Sequence, residues 1–219
     1  MLKIKTQNVS GDLRNEKELN RREYEELLRK CSPGSVVELG QYYISNDRNR
    51  ENLKWRVLER ENDRALIITE KAIDCQPYHK IRESVTWEDC TLRKWLNSEF
   101  LGGAFNSEEQ GRIITAELKS STGAGSCDTV FLLSAEEAEK YFHSDEDRMC
   151  EVTQYARNKG ADVYPKNEMF GYWWLRNQGD SSDCNAVYVL HDGYIYNYGG
   201  DVCSRSGVVR PAIWFNLES

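Results

Sequence analysis

Apolar side chains alternate with polar ones near the start of the chain. Leu53, Trp55 and Val57 occupy every second position, and the residues between them are charged. This period of two predicts a half-buried strand. An Asn-Asp pair then precedes the apolar run 65–68, so we expect an antiparallel hairpin. Upstream, apolar positions three and four residues apart predict a helix over 16–31, which a Ser-Pro-Gly sequence ends.

Helical spacing governs the middle of the chain. Apolar positions predict a helix that begins near Leu92 and ends at the glycine pair 102–103. Two capping-box patterns, in which a serine is followed three residues later by Gln or Glu, predict helices beginning at Ser107 and Ser134. A short helix is also expected over 153–159, with a glycine directly after it.

Three apolar stretches, 130–133, 172–175 and 208–215, predict further strands. Strands at both ends of the chain with helices between them indicate an α+β fold rather than a βαβ repeat. We therefore expect residues 1–33 to form an N-terminal extension with one helix, and residues 34–219 to form a single domain.

Composition and charge narrow the classes of function. The chain has 219 residues, of which 39% are hydrophobic and 30% charged, enough for one packed core. Its net charge of −7 disfavours nucleic-acid binding, because an acidic surface repels phosphates. It has no apolar run long enough for a transmembrane helix, and its first residues lack the apolar core of a signal peptide. We expect a protein that binds neither nucleic acid nor membrane and is cytoplasmic as encoded, with phage association or surface display as alternatives.

Seven cysteines occur at irregular spacing without a CxxC pair, which favours reduced and mostly buried thiols. Cys184 and Cys203 bracket the C-terminal segment, so a bridge between these two stays open. None of His79, His143 and His191 has a His or Cys at i+3 or i+4, so we expect no metal site. No phosphate-binding, dinucleotide or hydrolase motif predicts a cofactor.

Tryptophan and arginine positions near the C-terminus indicate framework roles. We expect Trp173, Trp174 and Trp214 to lie in the core. Arg176 and Arg210 adjoin apolar runs, so we expect their guanidinium groups to bind loop carbonyls or carboxylates.

The segment 179–206 differs in composition from the rest of the chain. It contains no Lys, Glu, Gln, Met or Trp, and it is dominated by Tyr, Ser, Asn, Asp and Gly. Antibody paratopes use this mixture, because Tyr supplies contact area at a low entropic cost and the small polar residues supply adaptable hydrogen bonds. The five missing residue types are also those that a codon ending in a pyrimidine cannot encode, as expected of randomised asparagine codons.

Within this segment, His191-Asp192-Gly193 has the form of a three-residue hairpin loop with Gly193 in the left-handed region. The predicted register pairs Leu190 with Tyr194, Val189 with Ile195, Tyr188 with Tyr196, Val187 with Asn197 and Ala186 with Tyr198. One face then holds Val187, Val189 and Ile195, and the other holds Tyr188, Leu190, Tyr194, Tyr196 and Tyr198. A two-residue Asp-Gly loop would mix valines and tyrosines on both faces, so the first register is preferred.

Six motifs, in order, resemble an uncharacterised bacterial domain family that ends in a G-V-R-P-A-type motif. They are Trp55-Arg56-Val57-Leu58, Leu66-Ile67-Ile68-Thr69, the run from Thr86 to Asn97, Val130-Phe131-Leu132-Leu133-Ser134, Trp173-Trp174-Leu175-Arg176 and Gly207-Val208-Val209-Arg210-Pro211-Ala212. The last motif differs from the family's by the insertion of Val209. The resemblance implies a C-type-lectin-like fold, shared with formylglycine-generating enzymes, with short antiparallel sheets, flanking helices and a long irregular C-terminal region. The same fold is used by the variable proteins of diversity-generating retroelements.

These observations together predict a non-enzymatic ligand-binding protein with a variable surface over about 177–206. We expect a protein partner, with a glycan as the alternative. The competing interpretations are an ordinary sheet surface, a general sensor or interaction module, and an oxidase related to formylglycine-generating enzymes. The predicted ligand-binding residues are Asp183, Asn185, Tyr188, His191, Tyr194, Tyr196, Tyr198, Asp201 and Arg205.

Overall fold

A computed structural model describes residues 31–119, 125–164 and 169–217. The described residues form two five-stranded sheets, one small hairpin and short helices, which confirms the α+β part of the predicted fold class. The predicted helix over 16–31 and most of the extension 1–33 lie outside the described residues; Cys31, at the boundary, is buried. In the part of the chain that is described, no helix is long and apolar enough to cross a membrane.

The first sheet contains the predicted hairpin. Its strands, numbered in chain order through the whole molecule, lie in the order β1, β2, β3, β12 and β5, and all neighbours are antiparallel. The turn between β2 and β3 contains Asn62 with a φ of 48°, a left-handed conformation that Asn tolerates. The strands are β1 (Val36–Tyr43), β2 (Arg50–Glu61), β3 (Arg64–Thr69), β5 (Ile113–Ile114) and β12 (Ala212–Asn216).

The second sheet carries the C-terminal segment. Its order is β10, β9, β8, β11 and β4, with β11 parallel to β8 and every other pair antiparallel. The strands are β4 (Asp74–Cys75), β8 (Trp173–Gln178), β9 (Asn185–Val189), β10 (Ile195–Asp201) and β11 (Val208–Val209). A separate hairpin pairs β6 (Ala116–Leu118) with β7 (Ser126–Asp128).

The helices are short, and most of them begin at a residue whose side chain accepts a hydrogen bond from the first turn. The predicted helix after Leu92 comprises α1 (Thr91–Trp95), a π-helical turn (Leu96–Phe100) and α2 (Leu101–Ala104). The remaining helices are α3 (Ser107–Arg112), α4 (Ala135–Tyr141), α5 (Asp145–Arg148) and α6 (Gln154–Asn158).

Two of the predicted helix boundaries can be compared with the observed caps. The capping box of α4 uses Ser134 and Glu137, as predicted. The box of α3 lies one residue earlier than predicted: Asn106 is its cap and Glu109 closes it, because the Asn106 carboxamide accepts from two backbone N–H groups at 2.9 Å.

The predicted single strand over 208–215 is wrong, because the chain changes sheets within it. β11 belongs to the second sheet and β12 to the first, and Arg210 and Pro211 lie between them. Arg210 is buried, donates from Nε to the Thr69 carbonyl at 3.0 Å, and stacks on the Phe142 and Trp173 rings at 5.0 and 5.1 Å. This side chain therefore fixes the point at which the chain crosses.

The stretch 130–133 is buried as predicted, but it is not a strand. It pairs only through a single antiparallel bridge between Phe131 and Ala212.

Two of the three tryptophans predicted to lie in the core, Trp173 and Trp174, are fully buried. Trp214 is only partly buried and stacks beneath the Arg64 guanidinium at 4.6 Å.

Candidate functional site

The hairpin of β9 and β10 has the predicted turn. Leu190 donates its N–H to the Tyr194 carbonyl at 2.8 Å, which closes a three-residue loop. Gly193 has a φ of 88°, in the left-handed region that favours glycine. Val189 pairs with Ile195 and Tyr188 pairs with Tyr196, so the predicted register is confirmed next to the turn.

Farther from the turn, the predicted pairs Val187 with Asn197 and Ala186 with Tyr198 are wrong. Ala186 pairs with Gly200 instead, because β10 bulges between Tyr196 and Gly200. β8 has a matching irregularity opposite the same part of β9. The bulge brings Gly199 against Gly179: a Cβ on Gly199 would lie 2.9 Å from the Gly179 Cα. Glycines at both positions make this approach sterically allowed.

The faces of the hairpin are as predicted. Val187, Val189 and Ile195 are buried. Tyr194 and Tyr198 are 56% and 64% exposed, while Tyr188 and Tyr196 are half-buried. We call the four residues Tyr188, Tyr194, Tyr196 and Tyr198 the tyrosine surface.

Ring contacts connect this surface to the core. The Tyr198 ring centroid lies 5.9 Å from that of Tyr196, which in turn lies 5.4 Å from that of Tyr188. Tyr188 contacts the fully buried Trp174 at 5.9 Å and Tyr172 at 5.0 Å. The half-buried tyrosines are thus held by packing, which limits the rotamers available to them.

A cluster of hydroxyl groups fixes the base of this ring series. The Tyr172 hydroxyl lies within hydrogen-bond distance of Ser204 Oγ at 2.8 Å and of Ser206 Oγ at 3.0 Å. Burial raises the pKa of Tyr172, so the phenol is neutral at physiological pH. The loop 204–206 is therefore held beside the half-buried tyrosines.

Two of the predicted polar residues bind the loop 79–85, which is distant in sequence. The Asp183 carbonyl accepts from the Val85 N–H at 3.2 Å, and a hydrogen bond from Ser84 lowers the pKa of the Asp183 carboxyl. Asp201 forms an ion pair with Arg82 at 2.9 Å. A hydrogen bond from the backbone N–H of Cys203 lowers the pKa of the Asp201 carboxyl. Arg82 was not predicted, because no sequence pattern places this loop beside the C-terminal segment.

The other predicted polar residues have local contacts. Asn185 Nδ2 donates to Ser181 Oγ at 2.8 Å. The His191 ring lies 5.4 Å from the Tyr164 ring. Arg205 is exposed, and its carbonyl accepts from the Cys75 thiol at 3.1 Å. The structure therefore brings Tyr188, Tyr196 and Tyr198 into ring contact, places Tyr194 at the turn of the same hairpin, and distributes the predicted polar residues around the neighbouring loops.

All seven cysteines are free, and the bridge between Cys184 and Cys203 is not formed. Both of these thiols are partly exposed. A hydrogen bond with Asp201 raises the pKa of the Cys203 thiol. Within the described ranges, no three His, Cys, Asp or Glu side chains converge as a metal site.

Two clefts lie away from the tyrosine surface, since none of its four rings lines either of them. One, of about 510 Å³, is lined by polar groups of β1 and the chain around α2, among them Glu38, Arg50 and Glu109. The other, of about 370 Å³, adjoins the end of β8 and is lined by residues that include Trp87 and Arg176.

The Arg176 side chain has partners within the fold, because it donates to the Leu132 carbonyl at 3.0 Å and binds Glu137 through two nitrogens. The predicted structural role of this arginine is confirmed.

A family model matches most of the chain. Residues 62–217 match the family described as Domain of unknown function (DUF6273). The matched region begins in the turn after β2 and includes the whole second sheet, so the tyrosine surface lies entirely within it. No curated protein and no solved structure matches the chain.

Proposed function

We propose that the chain, which belongs to the DUF6273 family of unknown function, binds a protein partner through the tyrosine surface and catalyses no reaction. One observation carries the proposal: Tyr194 and Tyr198 are 56% and 64% exposed on a hairpin whose opposite face is buried in the core. Exposed large aromatics on a fixed framework are typical of interaction sites, because their burial supplies most of the binding energy.

The position of the surface fits a protein partner. A fully exposed tyrosine can bury on the order of 150–250 Å². Because Tyr188 and Tyr196 are half-buried and Tyr194 and Tyr198 are 56% and 64% exposed, the four rings supply only part of the roughly 800 Å² that one side contributes to an interface of ordinary size, and the surrounding polar loops would supply the rest. The rings stand on the outside of a hairpin rather than in either cleft described above, whereas small ligands are usually enclosed.

We further propose that the scaffold is C-type-lectin-like and that residues about 177–206 are its variable part, as in the retroelement proteins. The abrupt change of composition at 179–206 supports this, since the buried valines of the hairpin belong to the framework and the tyrosines face outward. A near-copy of the coding segment, differing mainly at adenines and lying beside a reverse-transcriptase gene, is the expected genomic observation. Its absence, with binding intact, would favour an ordinary interaction module.

The oxidase alternative has less support. A nucleophilic cysteine needs a lowered pKa, whereas the pKa of Cys203 is raised by its hydrogen bond with Asp201. We expect no thiol oxidation in the presence of copper, and the Cys184→Ser variant serves as the control. Oxidation by the native protein that this variant lacks would establish the enzyme instead.

The binding function is tested by selecting a displayed library of random peptides on the native protein. Selected clones are then measured against the Tyr194→Ser/Tyr198→Ser variant. Loss of an interface tyrosine commonly costs about 2 kcal/mol, so we expect affinity to fall at least about thirtyfold. The control is Val36→Ser, which changes an exposed apolar residue of β1 and should leave affinity unchanged. Clones that bind the tyrosine variant and the native protein with equal affinity would contradict the proposal.

A further inference from the structure

We infer that the tyrosine surface recognises a cationic protein segment, one that presents Arg or Lys side chains to it. This inference rests on the proposed function and specifies its partner. Each of the two most exposed tyrosines has, beside it in the structure, an exposed aspartate that no cation neutralises among the described residues.

The first aromatic and acidic pair lies at the hairpin turn. The Tyr194 N–H donates to Asp192 Oδ1 at 3.2 Å, which fixes the carboxylate beside the tyrosine backbone. Gly193 lies between the two and accepts from Arg148 Nε at 2.9 Å through its carbonyl. Arg148 itself pairs with Asp145 in α5, so its charge is already balanced within its own helix. Asp192 thus remains available to an external cation.

The second pair lies at the bulge of β10. The Asp180 N–H donates to the Asn197 carbonyl at 2.9 Å, and the next residue, Ser181, donates its N–H to the Tyr198 carbonyl at 3.3 Å. Asp180 is therefore held one residue from the Tyr198 backbone across the loop. The same loop is held against the bulge by the contact of Gly179 with Gly199. These contacts make the position of Asp180 relative to Tyr198 a property of the fold.

Charge complementarity favours a cationic partner over an anionic one. Residues 179–206 contain four aspartates and one arginine, a net charge of −3, in a chain whose total is −7. Asp201 forms an ion pair with Arg82, and the Asp183 carboxyl accepts hydrogen bonds from Ser84 and Cys184. Among the described residues, Asp180 and Asp192 have no ion-pair partner, and each is held near the backbone of an exposed tyrosine. A guanidinium or ammonium group there gains an ion pair and a cation–π contact together, whereas a phosphate or an acidic peptide is repelled.

The test uses a fluorescent twelve-residue peptide of alternating Arg and Gly, with a matched peptide in which citrulline replaces every Arg. Citrulline keeps the shape of the side chain and removes its charge. Affinity is measured by fluorescence anisotropy at low and at physiological salt. We expect the Arg peptide to bind the native protein at least about tenfold more tightly than the citrulline peptide, with affinity decreasing as salt rises.

Two double variants separate the local carboxylates from the overall acidity of the chain. Asp180→Asn/Asp192→Asn removes the carboxylates beside the tyrosines. Asp47→Asn/Asp63→Asn removes the same charge from exposed loops of the first sheet. We expect the first variant to lose about tenfold or more in affinity for the Arg peptide and the second to lose less than about threefold, with both retaining native circular dichroism.

The outcomes distinguish this inference from the function on which it rests. Equal binding of the Arg and citrulline peptides, or equal losses in the two aspartate variants, would overturn the cationic partner. If peptides selected from the random library then proved neutral or acidic, and their binding still depended on Tyr194 and Tyr198, the proposed binding function would stand without a cationic partner. If the Arg peptide bound the tyrosine variant and the native protein equally well, the tyrosine surface itself would be refuted as the site.

Discussion

Gly193 offers the sharpest test of how the hairpin is held. Its φ is 88°, and a Cβ added to it would lie 1.7 Å from the Asp145 carbonyl oxygen and 2.4 Å from that carbonyl carbon. Both atoms belong to backbone, so the methyl group can be accommodated only if the turn moves away from α5. Gly193→Ala therefore combines a left-handed conformation, at about 1–2 kcal/mol, with overpacking, at about 1–3 kcal/mol.

Gly34 is a closely matched control. Its φ is also 88°, yet a Cβ there would have no atom within 4 Å. Gly34→Ala thus carries the conformational cost alone, about 1–2 kcal/mol. We expect the free energy of unfolding, measured by urea denaturation, to fall by about 2–5 kcal/mol in Gly193→Ala. At a typical urea m-value of about 2 kcal/mol per molar, the midpoints of the two variants should differ by about 0.5–1.5 M.

Equal losses in the two variants would refute the contact between the turn and α5. A lower cost at Gly193 than at Gly34 would do so more strongly. The contact matters for function because Tyr194 follows Gly193 directly. A turn that has moved from α5 would carry Tyr194 with it and alter the tyrosine surface.

Three further outcomes are expected. Ile195→Ala should reduce the free energy of unfolding, measured in urea, by about 2–5 kcal/mol, because Ile195 is buried. Val36→Ala, at an exposed position, should change the same free energy by less than about 0.5 kcal/mol. Similar losses in the two variants would contradict the assigned core face. Arg56 donates two hydrogen bonds to the Glu70 carboxylate, at 2.6 and 3.0 Å, and these lower the pKa of Glu70 from its ordinary value of 4.5. The stability that this ion pair contributes is present above pH 4.5 and should be lost as the pH falls through the lowered pKa. Glu70→Gln should weaken that acid dependence, and an unchanged dependence of the urea midpoint on pH would exclude the ion pair as its source. Maleimide labelling followed by mass spectrometry should modify the exposed Cys127 in the native protein. It should modify Cys90, whose pKa burial raises to about 12, only after denaturation. Equal labelling rates of the two cysteines in the native protein would contradict the packing.

Local sequence signals predicted the elements whose partners are close in the chain. The β2–β3 hairpin follows from alternation around an Asn-Asp turn, and the start of α4 follows from Ser134 and Glu137. The misplacement of the α3 cap has a simple cause, since Asn106 and Ser107 are both good capping residues and the sequence does not show which one has extended backbone.

Features that depend on distant contacts could not be predicted in this way. The division of 208–215 between two sheets depends on where Thr69 and Phe131 lie in space. For the same reason, the pairing of Asp201 with Arg82 has no signal in the local sequence.

The candidate site shows the same division. Alternation of Val and Tyr correctly separated the buried face of the hairpin from its exposed face. The bulge in β10 was missed, although the consecutive glycines 199 and 200 inside a strand were a signal for it. Its geometry depends on Gly179, which belongs to a different strand connection.

The passage of residues 208–216 from one sheet to the other has a consequence for biosynthesis. β11 lies between β8 and β4, and β12 lies between β3 and β5, so neither sheet has all its neighbours until this stretch has been made. A nascent chain that has emerged only as far as the tyrosines exposes two incomplete sheets with open edges, which are prone to pair with other chains. We therefore expect the domain to acquire its native structure only after residue 216 has left the ribosome, in one late step that closes both sheets together.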